Sequence, residues 1–206
     1  MTLIDIHTHN ADCDRHSSIF NSKEYVENRN ISIGIHPWDI DSSWEKQLTI
    51  IKELANKENI RAIGECGIDK LKSQASTELQ KEIFKVHALL AEEVNKPIVI
   101  HCVKGFDELI AMRRELSPKQ AWIIHGFRGK PQQAGQLIKE GFYISFGEKF
   151  NIDSLKALPL EKLFVESDES KIGIANIYNL IANAKGCSIE ELSLHVITNA
   201  RRCNLL

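Results

Sequence analysis

Apolar residues in this chain fall into short runs, and run after run ends on a histidine or a carboxylate. Ile4-Asp5-Ile6-His7-Thr8-His9 is followed by Gly34-Ile35-His36-Pro37, Ile63-Gly64-Glu65, Val99-Ile100-His101, Ile123-Ile124-His125-Gly126 and Val165-Glu166-Ser167-Asp168. Short runs rich in Ile and Val, apolar on both faces, read as buried parallel strands. The candidate strands are Leu3–His7, Ser18–Asn21, Ile31–His36, Arg61–Cys66, Ile98–Cys102, Trp122–His125, Phe142–Phe146 and Leu163–Glu166. Between them apolar positions recur at helical spacing, as in Leu79, Ile83, Phe84, Val86, Leu90 and Val94. The expected helices are Trp44 to about Lys57, capped by Ser42 or Ser43; Glu78–Val94, capped by Thr77; Phe106–Leu116; Pro131–Glu140; Ser154–Leu158; Ile174–Ala184; and Ile189–Asn204. Pro97 and Gly141 mark helix-to-strand boundaries.

Alternating strand and helix predicts an α/β fold with parallel strands. Eight strands suggest a (β/α)8 barrel of the TIM type. Such barrels usually have about 250 residues, and this chain has 206, so the barrel must be trimmed. The trimming is expected near the N-terminus, where the stretches after His9 and after Asn21 are too short for ordinary crossover helices. The length suits one domain spanning residues 1–206, with no linker or repeat.

The charge pattern narrows the options. A net charge of -2 gives no global basic field for nucleic acid. No apolar run reaches the roughly 18 residues of a membrane span. The opening MTLIDIHTHN lacks the basic and long apolar segments of a signal peptide. The five cysteines, Cys13, Cys66, Cys102, Cys187 and Cys203, form no CxxC pair, so reduced thiols in a cytoplasmic protein are expected. Cys66 and Cys102 are expected to point into the helix layer, opposite Glu65 and His101.

Strands that end on metal-ligand side chains present them together at one rim of the sheet. His7 and His9 share a strand face about 6–7 Å apart, and in a barrel they sit at the C-terminal end, where barrel active sites lie. Asp5 shares their parity and is a candidate to orient them. With Glu65, His101, His125 and Asp168 they make four imidazoles and two carboxylates. That donor set suits zinc, with manganese or magnesium as alternatives. Six ligands exceed the needs of one catalytic zinc. Two divalent ions about 3.5–4 Å apart, bridged by Glu65 and a hydroxide, would use them all. Asp168 can also take a proton from the attacking water, with Glu166 as its rival, so Asp168 and Glu65 are the catalytic candidates. His36 is expected to bind substrate. Lys104, Arg128 and Lys130, with Lys149 beside them, follow predicted strands and could hold a phosphate. His16, His87, His195, Trp38, Trp44 and Trp122 are read as surface or packing residues.

In this order the motifs resemble the TatD family of metal-dependent hydrolases and deoxyribonucleases. The resemblance rests on Asp5-x-His7-x-His9, Gly34-Ile35-His36-Pro37, Gly64-Glu65-Cys66-Gly67-Ile68-Asp69, Pro97 to His101, His125-Gly126-Phe127-Arg128-Gly129 and Glu166-Ser167-Asp168. It implies a metallo-dependent-hydrolase barrel in which His7, His9 and Asp168 hold one ion, His101 and His125 the other, and Glu65 bridges. It also implies phosphodiester cleavage in DNA, often from an end; a monomer is the expected state of the chain, although the sequence does not fix it. Val103-Lys104, Glu169-Ser170 and Lys70-Leu71 replace residues usual in the family's substrate loops. Two alternatives stand beside this reading, the first sharing the strand-one His-x-His and the late aspartate, the second motivated by those departures. One is an amidohydrolase-like enzyme acting on a small amide, lactone or phosphoester. The other is a weakly catalytic, metal-bound accessory protein.

Overall fold

The computed structural model describes residues 1–206. Eight parallel strands lie side by side in chain order: β1 (Asp5–Thr8), β2 (Ser18–Asn21), β3 (Ile31–Ile33), β4 (Ile60–Asp69), β5 (Ile98–Val103), β6 (Trp122–Ile124), β7 (Tyr143–Phe146) and β8 (Leu163–Val165). The sheet curls until its two edges meet just past their ends. There Asp168 N–H donates to His7 O, and His9 N–H donates to Asp168 O, both at 3.0 Å. The expected (β/α)8 architecture is therefore present as a nearly closed barrel.

Helices cover it from β3 onward: α1 (Trp44–Leu54), α2 (Thr77–Glu93), α3 (Phe106–Leu116), α4 (Pro131–Lys139), α5 (Ile152–Ala157), α6 (Ile174–Lys185) and α7 (Ile189–Arg202). Trp122 is fully buried, edge-on to Phe84 of α2 and Phe142 before β7. No helix is long and apolar enough to cross a membrane.

The first two crossovers carry no helix, as the spacing requires. Side chains satisfy the loop backbone instead. Asn59 Nδ2 donates to Val26 O and Arg29 O, Asn30 Nδ2 to His16 O, and Arg29 Nη1 to Ala11 O. Buried backbone groups without such partners would each be costly, so these residues stand in for two missing helices.

Several boundaries differ from the sequence reading for local reasons. Helix α2 is capped by Ser76, whose Oγ accepts from Leu79 N–H at 3.2 Å, and Thr77 is its first helical residue. Strand β3 stops at Ile33 because Gly34 is pressed against β4; a Cβ there would lie 2.7 Å from Gly64 Cα. Strand β4 runs past Cys66 to Asp69 because Gly67 lets β5 approach. At φ +150°, a Cβ on Gly67 would meet His101 O at 2.0 Å. That extension carries Asp69 to the rim.

Candidate active site

Glu65 is the hub of the rim. Its backbone N–H donates to Asn21 Oδ1 at 2.9 Å, and its side chain is buried. Five imidazoles converge on the carboxylate. Oε2 faces His7 Nε2 at 3.3 Å and His9 Nε2 at 3.4 Å. Oε1 faces His125 Nε2 at 2.7 Å, His101 Nδ1 at 2.8 Å and His36 Nε2 at 3.1 Å. Asp168, held at φ +51° by the edge closure, brings Oδ1 to 3.7 Å from His9 Nε2 and 3.9 Å from His7 Nε2. Strand ends separated by up to 161 residues in sequence thus share one cluster.

Neighbouring groups decide which nitrogen of each ring is available. Asp69 Oδ2 accepts His101 Nε2–H at 3.2 Å and Trp38 Nε1–H at 2.7 Å. With Asp69 holding a proton on Nε2, release of the Nδ1 proton, which faces Glu65 Oε1 at 2.8 Å, frees a lone pair toward the hub. Glu166, completely buried, accepts Gly126 N–H at 2.6 Å and lies 3.4 Å from His125 Nδ1, which leaves Nε2 of that ring facing the hub. His36 behaves differently. Its Nδ1 accepts Trp38 N–H at 3.1 Å, so the proton of the neutral ring sits on Nε2 and points at Glu65. His36 is thus a donor in this arrangement, whereas the other rings present a lone pair to the hub only once they give up the proton facing Glu65.

Electrostatics follow from this crowding. Burial opposes ionisation of Glu65, but the charge of His125 and hydrogen bonds from His101, His125 and His36 hold its pKa well below the ordinary value. Burial likewise opposes charge on His125, yet Glu65 and Glu166 raise its pKa well above the usual imidazole range. His9 is raised by its hydrogen bond to Glu65.

The donor set fits divalent cations. Both ring nitrogens of His7 are buried without a hydrogen-bond partner. His101 Nδ1 and His125 Nε2 face each other across 3.3 Å. Candidate ligand atoms group as His7, His9 and Glu65 and as His7, His125 and Asp168; in a third group, His36, Glu65 and His101, the hub-facing nitrogen of His36 carries its proton in the neutral ring. Thiolates contribute nothing. Cys66 is buried in the core, and Cys102, expected in the helix layer, borders the cavity with burial pushing its thiol up to about 12.

A cavity of about 920 Å³ opens over the cluster. Lys104 and Arg128 line it, as do Lys23 and Lys72; Lys130 lies outside the lining, at the cap of α4. Lys149 lines a smaller cavity of about 180 Å³ that also touches Asp168 and Arg128.

Four residues have roles that the strand-end pattern alone did not indicate. Asn21 clamps Glu65, and it too ends a strand, which was the available signal. Asp5 bonds to no histidine ring; it accepts Ser167 N–H at 2.9 Å and Ser167 Oγ–H at 2.6 Å, tying β1 to the Asp168 loop. His87 is completely buried: Nδ1–H donates to Ile83 O at 2.8 Å, and Nε2 accepts Ile35 N–H at 3.1 Å beside His36. Trp38, unlike buried Trp122, is open to the cavity.

Known proteins resemble this chain in sequence and in fold. The family model described as TatD related DNase matches residues 3–204. An uncharacterized metal-dependent hydrolase, YabD, of Bacillus subtilis is 29% identical over 192 residues, covering 83% of this chain and 75% of that protein. A 3'-5' ssDNA/RNA exonuclease TatD of Pantoea ananatis is 26% identical over 196 residues, covering 82% and 75%. The crystal structure of YjjV, a TatD homolog from Escherichia coli, superposes with a TM-score of 0.79 at 18% identity, covering 92% of this chain and 86% of that one, which speaks to the fold.

Proposed function

The chain belongs to the TatD-related DNase family of metal-dependent hydrolases, and from that premise we propose that it hydrolyses phosphodiester bonds, removing nucleotides from an end of single-stranded DNA. The observation that carries this reading is one buried carboxylate, Glu65, ringed by five imidazoles beneath a cavity lined by lysines and an arginine. A relative bearing an exonuclease name supports the choice of polymer.

Two divalent cations, zinc first among the candidates, would be held by His7, His9 and Asp168 and by His101 and His125, with Glu65 shared between the two sets. When bound, such cations polarise the scissile ester and make water a better nucleophile near neutral pH. The remaining work falls to the chain's own groups. Asp168 accepts the proton of the attacking water at a carboxylate oxygen. His36 donates its Nε2 proton in a hydrogen bond to a substrate oxygen. Arg128 and Lys104 hold the non-bridging phosphate oxygens by charge-assisted hydrogen bonds. Lys130 meets the chain farther from the scissile bond.

The test pairs metal analysis of the purified protein with an end-labelled single-stranded oligonucleotide, a dinucleotide, and a lactone and dipeptide panel, each with and without chelator. Stepwise, chelator-sensitive shortening of the oligonucleotide is expected. Cleavage of amides or lactones with no diester hydrolysis would move the protein to the small-molecule reading. Metal-loaded protein that cuts nothing would favour an accessory role.

A further inference from the structure

The mechanism above leaves Trp38 unused. It follows the His36-Pro37 turn, lines the same cavity as Glu65, and keeps 46% of its surface exposed. Yet it is held firmly. Nε1–H donates to Asp69 Oδ2 at 2.7 Å, and its backbone N–H donates to His36 Nδ1 at 3.1 Å. The ring lies at steep angles to His36 and His101, with centroids 4.7 Å and 5.6 Å away. Lys72 reaches over the indole, with Nζ 4.5 Å from the ring centroid. Leu71, 68% exposed, also lines this side of the cavity. An aromatic plane is thus fixed in orientation, open to solvent and flanked by an ammonium. The imidazoles of His36 and His101 lie between it and the central carboxylate.

We propose that Trp38 and Lys72 form a subsite for a planar aryl group, a nucleobase in a polynucleotide, attached to the phosphate at the catalytic centre. This rests on the phosphodiesterase reading and names the part of the substrate next to the scissile bond. The base stacks on the indole face that Lys72 covers in the free protein, and the flexible ammonium swings to the neighbouring phosphate. Stacking tolerates any base because each has a π face. The Asp69 bond removes most of the ordering cost that a free tryptophan would incur on binding.

The experiment is a calorimetric titration of the metal-loaded protein with thymidine monophosphate and, in parallel, with deoxyribose phosphate, which carries the phosphate without the base; tryptophan emission is followed alongside. Wild-type protein is expected to bind the nucleotide roughly ten-fold more tightly than the sugar phosphate, one stacking contact's worth, with quenching of Trp38 emission. In Trp38→Leu the preference and the quench should vanish together, and Trp38→Phe should recover part of the preference. Equal weakening of both ligands in Trp38→Leu would overturn the subsite and leave Trp38 as a support for Asp69 and His101. Absence of any preference in the wild type would also overturn it. Because binding is read without turnover, a failure of diester hydrolysis does not decide this result. Conversely, loss of the preference leaves the hydrolysis test standing.

Discussion

Replacing Asp69 by asparagine keeps the side chain's shape and removes its charge. In the native protein Oδ1 accepts Leu71 N–H at 2.8 Å and Lys72 N–H at 3.0 Å. Oδ2 accepts the indole N–H of Trp38 and the Nε2–H of His101. An amide that keeps the first pair must place its NH2 against two donors. One hydrogen bond to a charged acceptor is worth about 1.5–3 kcal/mol, and a buried donor left unpaired costs a similar amount. The indole bond is the shorter and is lost outright. His101 can escape by moving its proton to Nδ1 and accepting at Nε2. That places N–H where a cation needs a lone pair. We therefore expect a stability loss of about 3 kcal/mol and a metal affinity lower by about 10–100-fold, as for other groups that orient metal-binding histidines. Urea denaturation of the metal-free protein measures the first, and competition against a chromophoric chelator the second. Asp69→Asn protein that binds metal as tightly as wild type would refute the tautomer assignment for His101, whatever its stability.

Other substitutions probe different links. Gly67→Ala forces a Cβ to within 2.0 Å of His101 O at a left-handed φ; a loss of more than about 3 kcal/mol is expected, and an unchanged urea midpoint would show that β4 can shift freely. His87 is buried neutral, its pKa pushed down from 6.5 to about 4 by burial. Above pH 6.5 its contribution is complete, and between 6.5 and 4 only the unfolded ring takes up a proton, so stability falls by about 3 kcal/mol across that window. His87→Gln should flatten this part of the stability–pH curve, and an identical acid slope in both proteins would contradict it. Asp168→Ala should lower kcat by at least about 10²-fold with the circular dichroism spectrum unchanged, and near-wild-type turnover would remove Asp168 from the mechanism.

The order of strands and helices was legible because its causes are local. Ile-rich runs alternate with segments of helical period, and each is stabilised by residues within a few positions. The strand-end histidines and carboxylates were legible too, since a parallel barrel carries every strand end to one rim. What remained hidden depends on partners far apart in sequence. Thr77 looked like a cap, but backbone geometry gave that place to Ser76. His87 reads as one more polar residue on an amphipathic helix, and only the packing of α2 under Ile35 buries it. Trp38 and Trp122 are the same residue type, yet one is sealed between Phe84 and Phe142 while the other stands open at the rim.

From residue pattern alone came the eight-stranded topology, its shortened first connections and the set of side chains gathered at the rim. Tertiary structure decided which nitrogen each imidazole turns inward. Asp69 orients His101, Glu166 faces the outer nitrogen of His125, and the Trp38 amide sets the proton of His36. Strand period is a property of neighbours along the chain. A tautomer depends on the hydrogen-bond partner across the ring, and only folding brings that partner within reach.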